Sequence, residues 1–281
     1  SVIITIAAAG IVGLVLQQLS VLLINWSAQQ TGDQGALTRF TWLNAIYLLP
    51  YAVLAAPLLQ LSFPRLAAAA EQGRDDVSNV LAETGPATVV MAWLGAALLV
   101  ATAVPVARVF VLGPGSERTS ALAWPIVAFA PAVVGFTLLG LASRTLLAQH
   151  LGKASGVANA SAWAAVIISV AVLRQMVPGP WLVPIMAGSV SLGMIVGAAA
   201  GWLLLRRSGM PAIGLTRPML VGFAAAVLAG GLGAAGSQLL SDVGILVAVL
   251  GACAVALVCV LVFTAMLRLL APSVLSQMWA L

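Results

Sequence analysis

Eight stretches of predominantly apolar residues, each bounded by charge, glycine or proline, make up most of the chain: 3–24, 36–61, 86–107, 120–142, 155–173, 182–205, 219–239 and 243–267. A helix needs about 20 such residues to cross the hydrocarbon core of a bilayer. The pattern therefore predicts an all-α polytopic membrane protein of about eight transmembrane helices. The first connection, NWSAQQTGDQG, is polar and carries Trp26 at its start, where an interfacial anchor belongs. The second, residues 64–85, is different. It mixes Arg65, Glu71, Arg74, Asp75, Asp76 and Glu83 with Leu66, Val77, Val80 and Leu81. That mixture reads as an amphipathic helical link lying at the interface, or, as the plainer and favoured reading, as a solvated connector helix with no partner.

The stretch 39–66, RFTWLNAIYLLPYAVLAAPLLQLSFPRL, is long enough to span yet is interrupted by Pro50 and Pro57. Proline inside a helix removes a backbone donor and clashes with the preceding turn. Membranes tolerate such breaks where neighbouring helices or a cavity satisfy the freed groups. A merely kinked helix and a helix bent around a transport cavity both fit the pattern. Residues 221–240 are dense in Gly and Ala. Gly230, Gly231, Gly233 and Gly236 form a candidate close-packing face, the alternative being a lipid-facing helix. Segment 243–267, nearly devoid of polar side chains, is expected at the periphery.

Composition strengthens the membrane reading. Of 281 residues, 62% are hydrophobic and 7% charged, and the mean hydropathy is +1.14. A soluble domain would lack the polar surface to cover that much apolar area. The basic pI of about 10.2 reflects loop charge, with no basic run or aromatic interleaving to suggest nucleic acid. Connections following even-numbered segments, with the C-terminus, hold Arg65, Arg74, Arg144, Lys153, Arg206, Arg207, Arg217 and Arg268. The opposite side holds Arg39, Arg108, Arg118 and Arg174. The richer side is expected to be cytoplasmic, which puts both ends of this chain inside. The chain opens on Ser1 and runs straight into an apolar segment without a basic leader, which reads as the middle of a longer protein.

Chemistry is sparse. The two cysteines, Cys253 and Cys259, share one apolar segment, and His150 is the sole histidine, so neither a disulfide framework nor a metal site is expected. No nucleotide-binding, metalloprotease or nucleophile-elbow motif is present, which argues against an enzyme and against a cofactor. Polar side chains at membrane depth mark pathways or interhelical contacts. The candidates are Gln17, Gln18 and Ser20 in the first segment, Asn44 and Tyr47 at i, i+3 in the second, and Ser189 and Ser191 in the sixth. The serines read best as interhelical hydrogen bonds, while Gln17, Gln18 and Asn44 fit cavity lining and interhelical bonding equally. No carboxylate lies deep in a segment, so this stretch lacks a proton relay of its own.

From Asn44 the run N-A-I-Y-L-L-P-Y-A-V-L, closed by LSFPRLA at 61–67, resembles the eighth-helix region of the MurJ/MviN lipid II flippases, within the superfamily of multidrug, oligosaccharidyl-lipid and polysaccharide exporters. Gln18-Leu19-Ser20, the run VPVARVF at 104–110, and residues 135–155 with Arg144, Ala148 and Lys153 resemble further family motifs in the same order. The resemblance implies helices seven to fourteen of a fourteen-helix, two-lobed transporter: residues 1–208 as its C-terminal lobe, with the link at 64–85, and 209–281 as two additional helices. It implies flipping of a lipid-linked cell-wall precursor by alternating access in a bacterial cytoplasmic membrane, in service of peptidoglycan synthesis and cell shape. The implied partners are that lipid-linked glycan, membrane lipids and cell-wall synthesis or division proteins. Implied cavity residues are Gln18, Asn44, Tyr47 and Arg39, with Arg144 and Lys153 at the cytoplasmic edge for the headgroup. The sequence departs from the family at Ala45, where an arginine is usual, at Leu48 in place of an acid, and at Leu147 in place of a tyrosine. Export of another polysaccharide-lipid or a drug, or a transport-inactive scaffold acting through the link, remain alternatives.

Overall fold

A computed structural model describes residues 2–30, 35–111, 116–177, 179–211 and 214–272; the side chain of Arg118 lies outside those described. Nine α-helices are formed among them: α1 (Val2–Gln30), α2 (Ala36–Pro50), α3 (Ala56–Gln72), α4 (Arg74–Phe110), α5 (Ser116–Ala148), α6 (Gly152–Leu173), α7 (Leu182–Arg207), α8 (Thr216–Ser237) and α9 (Ile245–Leu270). A single π-helical turn, Tyr51–Ala55, joins α2 to α3 without a break. The result is eight helices long and apolar enough to cross a membrane, as the hydropathy pattern predicts. Helices are forced here because lipid offers backbone N–H and C=O groups no other partner.

The two prolines of the second span frame the π turn. Pro50 closes α2, and Pro57 falls in the first turn of α3 just after the π turn, so each removes one donor from a continuous helical ladder. Between them the ladder widens, so that the Ala56 N–H bonds back to Tyr51 O.

The link at 64–85 departs from expectation. It is not one separate helix. Residues 64–72 continue α3 and residues 74–85 begin α4, with a sharp turn at Gly73 between them. Gly73 sits at φ 152°, ψ 176°, a region essentially closed to side-chain-bearing residues. The apolar face that an interfacial link would turn to lipid is buried instead. Leu66, Val77 and Leu81 pack with Leu141 and Leu146 of α5 and Leu205 of α7. Arg65 and Glu83 bridge the two arms at 2.5 Å.

The centre of the bundle is α5, flanked by α4 and α7, around Phe129, Ile126, Met186, Met194 and Val166. Small residues let these helices close up. A methyl group at Gly135 would stand 2.8 Å from the Ile195 backbone nitrogen, and one at Gly197 2.5 Å from Ala162 Cβ. Ser191 Oγ donates across the bundle to Ala128 O at 2.5 Å, the interhelical bond expected of it. Ser189 is buried as well, but its Oγ makes no hydrogen bond among the described residues, contrary to expectation.

Half of the glycine face expected on α8 forms. Gly230 and Gly233 lie against Ala97 and Ala101 of α4, whereas Gly231 and Gly236 face open space. Helix α9 is the outermost, burying only Ala248, Cys259, Phe263 and Leu267. The loop between α8 and α9 is held by Arg108, whose Nε donates to Val243 O and Nη1 to Val111 O, both at 2.9 Å.

Chain direction gathers the eight basic residues of the even connections at one end of the bundle, where α3, α5, α7 and α9 finish and α4, α6 and α8 start. Arg39, Arg108 and Arg174 lie at the other. There Arg174 stacks over the Trp26 ring at 4.0 Å from its centroid, a cation–π clasp between the ends of α1 and α6.

Candidate substrate-facing site

Polar side chains meet at two places along α5: with α1 and α6 around Asn159, and with the π turn around Arg144. Asn159 of α6 donates from Nδ2 to Ser143 Oγ of α5 at 3.1 Å and to Ser155 O, one turn back on its own helix, at 3.0 Å. Gln17 of α1 lines the same groove, a space of about 370 Å³ between α1 and α6 that also includes Gly13, Ser155 and Trp163. Asn159 and Ser143 escape sequence reading because they sit in ordinary apolar surroundings. Their signal is the spacing of Ser155 and Asn159 at i, i+4, which puts two polar groups on one face of α6.

Beside Ser143 on α5 stands Arg144. It is half-buried, and its Nη1 donates to Gly140 O, one turn back, at 3.2 Å. The space above Gly140 is shared: the position a methyl group would take there lies 3.1 Å from Arg144 Nη1, 3.2 Å from Leu59 Cδ1 and 3.9 Å from the Tyr51 hydroxyl. Glycine at 140 thus leaves room for a guanidinium and a phenol to converge. Tyr51 belongs to the π turn and rests edge-on against Phe136 at 4.6 Å between centroids. Sequence reading passes over it in favour of Tyr47.

The other expected residues are dispersed. Tyr47 is turned into the core: it is 4% exposed and its ring stacks on Phe129 at 4.6 Å and 4°. The i, i+3 spacing puts Asn44 and Tyr47 on one side of α2, but the bulky ring packs inward and leaves Asn44 half-buried. Arg39, also half-buried, is about 7.5 Å further along the helix axis toward the end bearing Arg174. Lys153 is exposed in the first turn of α6, at the basic end. Gln18 is exposed at mid-helix on α1, flanked one turn away on either side by exposed Leu14 and Leu22. Ser20, next to it, is buried and donates to Gln17 O at 2.6 Å.

Amide, hydroxyl, phenol and guanidinium groups can bind and orient a polar or anionic head by hydrogen bonds. Among the described residues no group of His, Cys, Asp or Glu is placed to hold a metal ion.

Comparison with known proteins separates sequence from shape. No model of a known family matches the chain, and no curated protein matches it in sequence. In three dimensions it is similar to a solved structure of the lipid II flippase MurJ in an inward closed conformation, with TM-score 0.71 and 15% identity. That match covers 94% of this chain and 53% of the flippase, so the chain spans about half the length of that transporter. At this identity the likeness shows the fold: a MurJ-like, all-helical membrane fold of eight spans.

Proposed function

We propose that this chain is the C-terminal lobe, helices seven to fourteen, of a transporter that flips a lipid-linked cell-wall precursor across a bacterial cytoplasmic membrane by alternating access. The observation that carries this reading is the match of nearly the whole chain to about half of a lipid II flippase. A lobe of such a transporter works against a second lobe. The stripe on α1 supports that arrangement. Gln18 interrupts an exposed row of Leu14, Val15 and Leu22, and a side-chain amide facing lipid at that depth is costly. Covered by a partner lobe, it instead lines a polar interior.

Arg144, with Tyr51 beside it, and Lys153 lie toward the end richest in basic residues, which the positive-inside rule makes cytoplasmic. A precursor taken up from the cytoplasmic leaflet would present its diphosphate there. Guanidinium and ammonium groups are its natural partners. Gln17, Gln18, Asn44 and Asn159 would meet the glycan by hydrogen bonding.

A second reading draws on α2. Beyond Arg39 this helix holds no cation: Ala45 is exposed and Leu48 half-buried where the resembling family places charges. A less anionic lipid-linked glycan would suit such a wall.

The test is transport by the protein containing this chain, reconstituted in vesicles with a fluorescent lipid-linked disaccharide diphosphate. Arg144→Gln and Gln18→Ala are expected to slow transfer about tenfold each, the loss of roughly 1.4 kcal/mol of binding to the moving state. Transfer at wild-type rate in the double variant would overturn the site assignment. Preference for a lipid-linked glycan without the diphosphate would favour the second reading.

A further inference from the structure

On the flank of the bundle away from α1 and α2, an apolar groove runs along α7 between α5 and α8. Its deeper part, about 350 Å³, is walled by Trp93, Leu138, Ile195, Trp202 and Met219. It adjoins a mouth of about 300 Å³ that shares Leu138, Trp202 and Met219 and ends at Arg206 and Thr216. Ile195 and Ala199 are exposed along it, so the groove opens sideways. From Ile195 to Arg206, α7 rises about 16 Å at 1.5 Å per residue. One leaflet of hydrocarbon is about 15 Å deep, half of the bilayer core. The groove is therefore as long as one acyl chain is deep, apolar within and basic where a headgroup would sit.

Charge at the mouth selects among lipids. Arg206 lines it and Arg207 is exposed beside it. Arg217 lies in the first turn of α8, anchored by a bond from Nη2 to Leu270 O at 3.3 Å. Arg74 reaches over Gly209 in the turn after α7, its Nη1 lying 2.8 Å from where a methyl on that glycine would stand. Asp75 and Asp76 stand beside Arg74, so the local excess of positive charge rests on Arg206, Arg207 and Arg217. Basic pockets between membrane helices at the cytoplasmic side are the usual seats of anionic lipid headgroups.

We infer that the α5–α7–α8 groove binds one anionic glycerophospholipid, an acyl chain along Trp202 and Ile195 and the phosphate at Arg206. The site lies apart from the proposed substrate-facing site and does not depend on the transport reading.

The experiment is native mass spectrometry of the detergent-solubilised protein titrated with dioleoyl phosphatidylglycerol or dioleoyl phosphatidylcholine. The wild type should retain phosphatidylglycerol about fivefold more tightly, the factor that one arginine near a membrane surface contributes. Arg206→Gln should bring the ratio close to one. Ala199→Phe, which fills the groove from an exposed position, should weaken retention of both lipids while circular dichroism stays helical. Equal retention of the two lipids by the wild type would overturn the proposal, as would a preference that survives Arg206→Gln or a groove indifferent to Ala199→Phe. Displacement of bound phosphatidylglycerol by an equimolar polyprenyl phosphate would overturn it too, since the groove would then belong to the cargo.

Discussion

Asn159 holds Ser143 of α5 and Ser155 of its own helix through one amide nitrogen, and it faces Gln17 across a groove. Hydrogen bonds between membrane helices average about 0.6 kcal/mol each, and Asn159 makes one such bond, so Asn159→Leu should lower stability by about that amount. Thermal unfolding in detergent would read the loss, and transport should fall with it. Tyr47→Phe should leave both unchanged, because the stack on Phe129 survives without the hydroxyl; a transport defect in that variant would return Tyr47 to the site. The two tyrosines show where sequence stops. Spacing tells which residues share a helix face, not which face turns inward. That choice follows from what the neighbouring helix presents, here Phe129 to Tyr47 and Phe136 to Tyr51. Gln17, Gln18 and Arg144 are legible as polar groups at depth or at its edge. Asn159 shows only its i, i+4 spacing from Ser155, and its partner Ser143 on α5 comes from the fold.

Among the elements, the eight spans follow directly from hydropathy, since a bilayer core fixes the length of helix needed. The π turn does not, although the two prolines that frame it mark the place. Such a turn is a one-residue insertion into a helix, often found at functional sites. Deleting exposed Val53 should restore an unbroken α-helix with both flanking faces in register. Melting temperature should then stay within a few degrees while transport is lost, since Tyr51 would no longer reach the space above Gly140. Loss of folding would instead make the turn a packing necessity. The turn at Gly73 is not legible in the sequence, because the alternation of charged and apolar residues around it fits one connector helix as well as it fits a helix pair packed on α5 and α7. Gly73→Ala should cost about 1–3 kcal/mol through backbone strain alone, measurable as a lowered unfolding temperature in detergent.

At the scale of the molecule, the distribution of Lys and Arg that sequence assigns to one side of the membrane becomes a single basic end of the bundle. The fold itself is MurJ-like over 94% of the chain at only 15% identity, so few side chains match. That is why the order of short motifs hints at it while no family model matches. On the proposed transport reading, exposed Gln18 among the apolar residues of α1 and the match to about half of a transporter both point to a second lobe. The most direct test is therefore to reconstitute the protein that contains this chain into vesicles and follow a fluorescent lipid-linked disaccharide diphosphate with an impermeant quencher. The account predicts that the protected fraction of that lipid becomes quenchable faster than in protein-free vesicles, and that Arg144→Gln returns the rate most of the way to that background. Quenching at the protein-free rate by a folded, oriented preparation would contradict it.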